Sequence, residues 1–279
     1  MTFDLFKSFG IRLLPLVAVA SISIFSHAAD AALTRSLFLG AENDDDVVAN
    51  VMTNLIGSDA RFDHTNSASM DLMTSGTPSL SDLQQFNSVL VWTNFPPADP
   101  TGLSDVLGQY VSGGGRVVIA TFWGQQVGGG AGNVGLLNSP GYNPLTNPRS
   151  DAYSPASLGA YDASDPLMQG VTSLYATTYR GDYNTDLDNG ARIVAFWDDG
   201  QPLEAVNGPG NVIDITLYPN TNSEGFSDGG APSGDYARLF ANALATDPGM
   251  GTDVPEPASL VLFGAGLAGL GAIRRRTAG

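Results

Sequence analysis

Residues 88–121 read SVLVWTNFPPADPTGLSDVLGQYVSGGGRVVIAT and place one amphipathic segment between two apolar runs. The runs at the two ends are short and rich in β-branched residues, which is typical of buried strands. Between them, Asp99 and Pro100 provide an N-cap and a first helical residue, and the glycines that begin at Gly113 end the helix. A strand–helix–strand unit of this length predicts a parallel sheet.

The segments before this unit follow the same alternation. A first strand is predicted at 35–40, and it is followed by a helix whose apolar residues recur at steps of three and four, through Val48, Val51 and Leu55. The acidic triplet 44–46 lies directly before that helix. Because a helix N-terminus favours negative charge, the triplet is interpreted as a cap, with a metal site as the alternative.

After the unit, residues 125–160 have little periodicity and many Gly, Pro, Asn and Ser residues, which predicts a long surface excursion. Farther along, the sequence predicts a hairpin, a strand and an amphipathic helix. Their ranges are 192–206 for the hairpin, with its turn at Asp199-Gly200, then 211–218 for the strand and 236–245 for the helix.

The order of these segments resembles the class I glutamine amidotransferase-like fold, which includes ThuA-like proteins. The segments that resemble it are the first strand and helix, residues 86–123, Asp165-Pro-Leu-Met-Gln-Gly-Val171, and the hairpin with the strand after it. The resemblance implies a flavodoxin-like α/β fold, a three-layer sandwich with a mostly parallel sheet, over residues 32–246. Another doubly wound sheet is the alternative.

The catalytic chemistry of that fold is not matched by this chain. The resemblance implies a cysteine nucleophile on a strand-to-helix elbow, supported by a histidine and an acidic residue. The chain has no cysteine, Thr121-Phe-Trp-Gly124 stands at the elbow, and His64 is the one histidine outside residues 1–31. No catalytic residue is therefore predicted. A Ser-His-Asp triad that uses His64 remains an alternative, since triads converge in space.

One loop has the alternating oxygen ligands that calcium prefers. Its candidate ligands are Asp182, Asn184, Asp186 and Asp188. The loop departs from the EF-hand pattern because Leu187 stands where the turn glycine would be. A solvated turn is the alternative, and no other cofactor is predicted.

The two ends of the chain have the composition of targeting segments. Residues 1–31 combine Lys7 and Arg12 with a short apolar stretch and small residues before Ala32, which predicts a cleaved signal peptide. An uncleaved anchor is the alternative. A linker is predicted at 247–253.

The other end begins with Pro255-Glu256-Pro257. An uncharged apolar run at 258–273 follows, and then Arg274, Arg275 and Arg276. The run could form only a short membrane helix, with the arginines on its cytoplasmic side. Residues 254–279 resemble the PEP-CTERM sorting signal of Gram-negative bacteria. A plain C-terminal anchor is the alternative.

The sorting-signal resemblance implies processing by an exosortase, a membrane transpeptidase, and association with exopolysaccharide. It implies an exported protein that passes through the inner membrane to the cell surface or extracellular matrix. The chain has 28 acidic and 12 basic residues, and its formal net charge of −16 excludes a general nucleic-acid surface. The sequence predicts a non-catalytic surface protein, with a ThuA-like carbohydrate-active enzyme as the alternative.

Overall fold

The structure, a computed structural model, describes residues 32–124, 134–146, 148–152, 154–183, 185–219 and 231–245. The predicted signal peptide, the linker and the sorting signal lie outside these ranges. The described elements belong to one unit, which begins at Leu33.

The strands are β1 (Ser36–Ala41), β2 (Ala68–Asp71), β3 (Ser88–Thr93), β4 (Arg116–Ala120), β5 (Pro148–Ala152), β6 (Ala156–Tyr161), β7 (Leu174–Ala176), β8 (Arg180–Tyr183), β9 (Arg192–Trp197), β10 (Pro202–Val206), β11 (Val212–Ile215) and β12 (Ser233–Gly234). The helices are α1 (Asp45–Ile56), α2 (Leu72–Ser75), α3 (Leu80–Leu83), α4 (Pro100–Ser112) and α5 (Tyr236–Ala245). Two 3₁₀ turns lie at Leu136–Asn138 and Pro166–Met168.

Ten of the described strands form one sheet in the order β12-β7-β6-β9-β10-β11-β4-β3-β1-β2, and β5 pairs with β8 separately. At one side of this sheet, the adjacent strands β2, β1, β3, β4 and β11 all pair in parallel. Their order, 2-1-3-4 and then the next parallel strand, is the flavodoxin-like order. The remaining strands of the sheet, β10, β9, β6, β7 and β12, each pair with their neighbours in the antiparallel direction.

Alternation along the strands separates the core into two layers, one on each face of the sheet. Phe38 and Leu90 pack in one cluster with residues of α1 and α5. Their neighbours Leu39 and Val91 pack in the other cluster with residues of α4. The fold is therefore an α/β sandwich of three layers.

The helix caps confirm the interpretation of the acidic triplet. Asp44 is the N-cap of α1, and its side chain accepts a hydrogen bond of 2.9 Å from the amide of Asp46. Asp99 caps α4 in the same way, through the amide of Gly102 at 2.9 Å, with Pro100 in the first turn. Both helices begin where the sequence predicts.

The predictions for the first strand, the strand–helix–strand unit, the hairpin and the last helix are confirmed. Three details differ. The sheet is mixed rather than mostly parallel, because the hairpin continues it with antiparallel strands. The predicted strand 211–218 pairs within the sheet only to Ile215, and beyond it Tyr218 donates its amide to the carbonyl of Tyr179 at 3.1 Å.

The third difference concerns residues 125–160, which are not simply a surface excursion. Their described part contains a 3₁₀ turn and two strands, and β6 joins the main sheet. Leu137 is fully buried in the cluster with α4, and its amide donates to the hydroxyl of Ser104 at 3.1 Å. Within the described ranges, no helix is both long and apolar enough to cross a membrane.

Candidate functional site

The parallel strands β1 and β3 are neighbours, yet the helices that follow them lie on opposite faces of the sheet. In a doubly wound sheet such a switch point opens a crevice at the carboxyl ends of the two strands, where ligands bind. The residues that immediately follow β1 and β3 are Glu42 and Asn94. They define the candidate site.

Glu42 is the centre of a buried hydrogen-bond network. Its Oε1 accepts from the indole Nε1 of Trp92 at 2.5 Å and from the hydroxyl of Tyr218. Its Oε2 accepts from the amide Nδ2 of Asn94 at 3.0 Å. The residue is 7% exposed. Both carboxyl oxygens are thus bonded by side chains of the chain itself.

The pKa of Glu42 is raised above its usual value. Burial is the main cause, and the hydrogen bonds from Tyr218, Trp92 and Asn94 partly oppose it. Asp71 raises the pKa further through its charge. Asp71 also accepts from the amide of Glu42 at 3.3 Å, and its Oδ2 is buried with no hydrogen-bond partner among the described residues.

Aromatic rings form one wall of this network. Phe122 stacks on Tyr218 with ring centroids 5.3 Å apart, and Tyr179 meets both rings edge-on at 6.0 and 5.9 Å. Phe122 follows β4, whereas Tyr218 follows β11. The ring cluster therefore joins the ends of several parallel strands to the carboxyl group of Glu42.

Gly40 makes room for the indole that bonds Glu42. A Cβ at this position would lie 2.6 Å from Cζ2 of Trp92 and 2.9 Å from Cγ2 of Val48. We expect Gly40→Ala to destabilise the domain by about 1–3 kcal/mol, because the ring is held between strand and helix. Urea unfolding measures this. Gly113→Ala is the control, since its nearest contact would be 3.4 Å, and an equal effect of both changes would contradict the packing argument.

Two residues that follow the carboxyl ends of strands β3 and β2 present apolar surface to solvent. Phe95, which donates its amide to the carbonyl of Ala41 at 2.9 Å, is 43% exposed. Met73, just after Asp71, is 38% exposed. Asn43 between β1 and α1 is exposed and has a φ of 60°, a conformation that asparagine tolerates better than most residues. The site thus has a partly apolar rim.

The elbow position carries no activated nucleophile. Thr121, at the predicted elbow, is 2% exposed, and its Oγ1 has no hydrogen-bond partner among the described residues. His64 is exposed and precedes β2, so it lies toward the amino ends of the parallel strands, whereas Glu42 follows a carboxyl end. His64 is therefore not placed as a base for Thr121 or for Glu42, and a Ser-His-Asp triad that uses His64 stays an alternative.

Arg180 lies near the candidate site but is used structurally. It is 2% exposed, donates to the carbonyl and the hydroxyl of Ser154 at 3.0 Å each, and forms an ion pair with Asp199. Its guanidinium lies 5.7 Å from the ring centroid of Trp197. Burial opposes ionisation of Asp199, but the bond from Arg180 is among those that hold its pKa below the usual value.

The predicted calcium loop is described except for Asn184. Asp182 lies on β8. The carbonyl of Asp186 accepts from the amide of Thr146 at 3.4 Å, and the carboxylate of Asp188 accepts from the amide of Gly141. In the described ranges, no three carboxylate or imidazole groups are gathered closely enough to hold a metal ion. Calcium binding by Asp182, Asn184, Asp186 and Asp188 stays a prediction.

Two further carboxyl groups are buried inside the sheet. Glu204 on β10 and Asp214 on β11 are 0% and 1% exposed, and none of their carboxyl oxygens has a hydrogen-bond partner among the described residues. Burial raises the pKa of each to about 8. For Glu204, the charge of Asp165 raises the pKa further and that of Arg192 lowers it.

Glu42, Asn94 and Tyr218 are not predicted from the sequence as site residues. The signal for the first two was available, because each is a polar residue directly after a buried strand, and the strands are neighbours. Tyr218 is 176 positions from Glu42, and nothing local indicates their contact. The predicted processing residues, Pro255 to Pro257 and Arg274 to Arg276, lie outside the described residues.

Comparison with known proteins identifies the C-terminal segment. Residues 253–276 match the model of the PEP-CTERM protein-sorting motif. The match implies that the protein is exported and is processed by an exosortase at the membrane. Among curated proteins, none matches the chain significantly.

Solved structures similar to the chain include two ThuA-like proteins and a glutamine amidotransferase. The ThuA-like protein of Bacteroides uniformis has 13% identity and a TM-score of 0.48, over 77% of this chain and 91% of that chain. That of Parabacteroides merdae has 14% identity and a TM-score of 0.47, over 81% and 94%. The amidotransferase of Thermotoga maritima has 10% identity and a TM-score of 0.43, over 84% and 95%. These neighbours belong to the two groups that the sequence resembles.

Proposed function

We propose that the chain is an exosortase-sorted protein of the cell surface or extracellular matrix, whose α/β domain binds exopolysaccharide without catalysing a reaction. The observation that carries the proposal is the sorting motif at residues 253–276. The motif gives the route of the protein, and the domain between the two terminal segments is the part that would remain outside the cell.

The geometry of the candidate site supports a structural role for Glu42 rather than a catalytic one. A general acid or base must reach the substrate through a carboxyl oxygen, and Glu42 is only 7% exposed. Both oxygens of Glu42 already accept hydrogen bonds from Trp92, Tyr218 and Asn94. The carboxyl group therefore holds the ends of β1, β3 and β11 together.

A second function, that of a carbohydrate-active enzyme, is favoured by one observation. The carboxyl group with a raised pKa lies at the switch point of the sheet, where enzymes of this topology bind substrates. In that case Glu42 would be the proton donor, and Asp71 would be the second carboxylate.

Incubation with the exopolysaccharide of the host separates the two functions. We expect the protein to sediment with the polymer and to release no reducing ends from it. Glu42→Gln should bind as the natural protein does, because glutamine keeps an acceptor for Trp92 and Tyr218. Release of reducing ends that Glu42→Gln abolishes would establish the enzyme instead, and failure of the natural protein to sediment would contradict polysaccharide binding.

No glutaminase activity is expected either. The chain has no cysteine, and Thr121 is buried without a base beside it. Ammonia release from glutamine should therefore equal that of a preparation from cells without the protein. Release above that level, abolished by Thr121→Ala, would contradict the expectation.

A further inference from the structure

A polar hollow of about 230 Å³ lies away from the Glu42 network, where two loop segments run side by side. One segment follows the 3₁₀ turn Leu136–Asn138, and the other precedes β9. Backbone hydrogen bonds join them: the amide of Asp188 donates to the carbonyl of Pro144 at 3.0 Å, and that of Thr146 donates to Asp186 at 3.4 Å. The walls of the hollow are therefore fixed by the fold.

The floor of the hollow is anchored in the core. Leu145 is 1% exposed and packs against Ala205 of β10. Asn143 is 6% exposed, and its Oδ1 accepts from the amide of Leu145 at 3.1 Å, while its Nδ2 donates to Oδ1 of Asn138 at 3.3 Å. These contacts hold the side-chain amides in place before any ligand arrives, which lowers the entropic cost of binding.

Several polar atoms around the hollow keep unused hydrogen-bonding capacity. The Nδ2 of Asn143 has a second hydrogen, and Asp188 bonds the Gly141 amide through one carboxylate oxygen while its other oxygen has no partner in the described residues. The hydroxyl of Thr146 donates a single long hydrogen bond of 3.4 Å, to the carbonyl of Asp186, among the described residues. The hollow thus combines amide donors, hydroxyl groups and one carboxylate acceptor.

This set of groups selects a class of ligand. Among the described residues, no Lys, Arg or His side chain lines the hollow, and Asp188 is the charged group that an anionic ligand would meet there. Ligand pockets for drug-sized molecules measure roughly 300–1,000 Å³, so this hollow suits a smaller molecule. Adjacent hydroxyl groups on a small ring would meet both the donors and the acceptor. A neutral sugar has these properties.

We infer that this hollow is a subsite for one neutral sugar residue of a polysaccharide. The inference rests on the proposed function and adds to it the place and the chemical class of the bound unit. Residues Asn143, Thr146 and Asp188 would bind the hydroxyl groups of the sugar. The Glu42 network would then stabilise the fold and take no part in binding.

Saturation-transfer NMR on the full chain in a zwitterionic detergent tests the inference, with glucose, galactose and mannose as probes. We expect saturation transfer to at least one of these hexoses, with a dissociation constant of about 1 mM, because a single sugar ring has few atoms that can contact the protein. Ser139→Trp should abolish it by filling the hollow. Asp188→Asn, which keeps an acceptor for the Gly141 amide, should weaken it about tenfold.

The control is Gln84→Ala, in a second hollow of about 240 Å³ beside Phe86 and Tyr110. It should leave the signals unchanged. No transfer to any hexose, or transfer that persists in Ser139→Trp, would overturn the inference. If Ser139→Trp does not fold, Asp188→Asn decides: hexose binding as strong as that of the natural protein would overturn the inference. Equal or stronger transfer to glucuronate, or calcium binding at Asp188 with no hexose bound, would also overturn it.

Sedimentation with the host polymer separates this inference from the proposed function. If the natural protein and Ser139→Trp both sediment, the polymer is bound elsewhere and the subsite is wrong. If the hexose binds in the hollow but the natural protein does not sediment, the subsite stands and the proposed function fails.

Discussion

Raising the pH from about 5 to about 8 should destabilise the domain by several kcal/mol, through Glu204 and Asp214. Burial raises the pKa of each folded carboxyl group to about 8, whereas in the unfolded chain each group ionises near its ordinary pKa, 4.5 for Glu204 and 3.8 for Asp214. Between these values the unfolded chain releases protons that the folded domain retains. Stability therefore falls as the pH rises through this window, by about 1.4 kcal/mol per unit for each group, and it becomes level above pH 8.

Conservative variants isolate the two groups. Glu204→Gln and Asp214→Asn should each remove about half of the pH dependence, and the double variant should remove nearly all of it. Asp46→Asn is the control, because this side chain is exposed on the first turn of α1. Urea unfolding followed by tryptophan fluorescence at several pH values provides the measurement. A pH dependence that the double variant leaves intact would contradict the assignment.

At low pH, the folded domain loses stability because hydrogen-bonded aspartates become protonated. The side-chain hydrogen bond from Arg61 lowers the pKa of Asp59, and the backbone amides of Thr172 and Ser173 lower that of Asp235. Their contribution is present above the unfolded pKa and is lost as the pH falls through the folded one. We therefore expect the greatest stability near pH 4–5.

Glu42→Ala should destabilise the domain by about 3 kcal/mol or more. The change leaves the donors of Trp92, Asn94 and Tyr218 without this acceptor in a buried place, and each unsatisfied donor costs about 1–3 kcal/mol. The gain from removing a buried acid offsets part of this cost. Glu42→Gln keeps the acceptor for Trp92 and Tyr218 and loses only the one for Asn94, so it should cost about 1–2 kcal/mol, less than Glu42→Ala.

The sign of the Glu42→Ala effect distinguishes the two proposed functions. Catalytic groups are commonly held in an unfavourable environment, so their removal leaves stability unchanged or raises it. A residue that joins the ends of three strands stabilises the fold. Thermal or urea unfolding of Glu42→Ala that shows equal or greater stability would contradict the structural role.

The sequence predicts the half of the sheet in which strands are apolar and helices have clear caps. In β3 and β4 every residue is buried, and Asp99 with Pro100 marks the start of the helix between them. β5 and β6 escaped prediction because Pro148–Ala152 and Ala156–Tyr161 are polar or small and lack an alternating apolar face. Their pairing depends on β8 and β9, which come much later in the chain.

The candidate site is only half predictable for a similar reason. Glu42 and Asn94 follow adjacent strands and could be inferred from the parallel sheet alone. Tyr218 reaches Glu42 only because β11 lies beside β4, which the order of segments in the chain does not indicate. The calcium loop has the opposite difficulty. Its aspartates are close in sequence, but Asp188 turns to the amide of Gly141.

Intact-mass measurement decides whether an exosortase sorts the protein to the cell surface. The measurement compares the surface and membrane fractions of a host that has an exosortase with the same fractions of a strain that lacks it. We expect the mature chain to begin near Ala29 or Ala32 and to end near Pro257, and we expect it to remain in the membrane of the deficient strain. Surface-released protein that retains the tail through Arg276, or equal release from both strains, would contradict the claim.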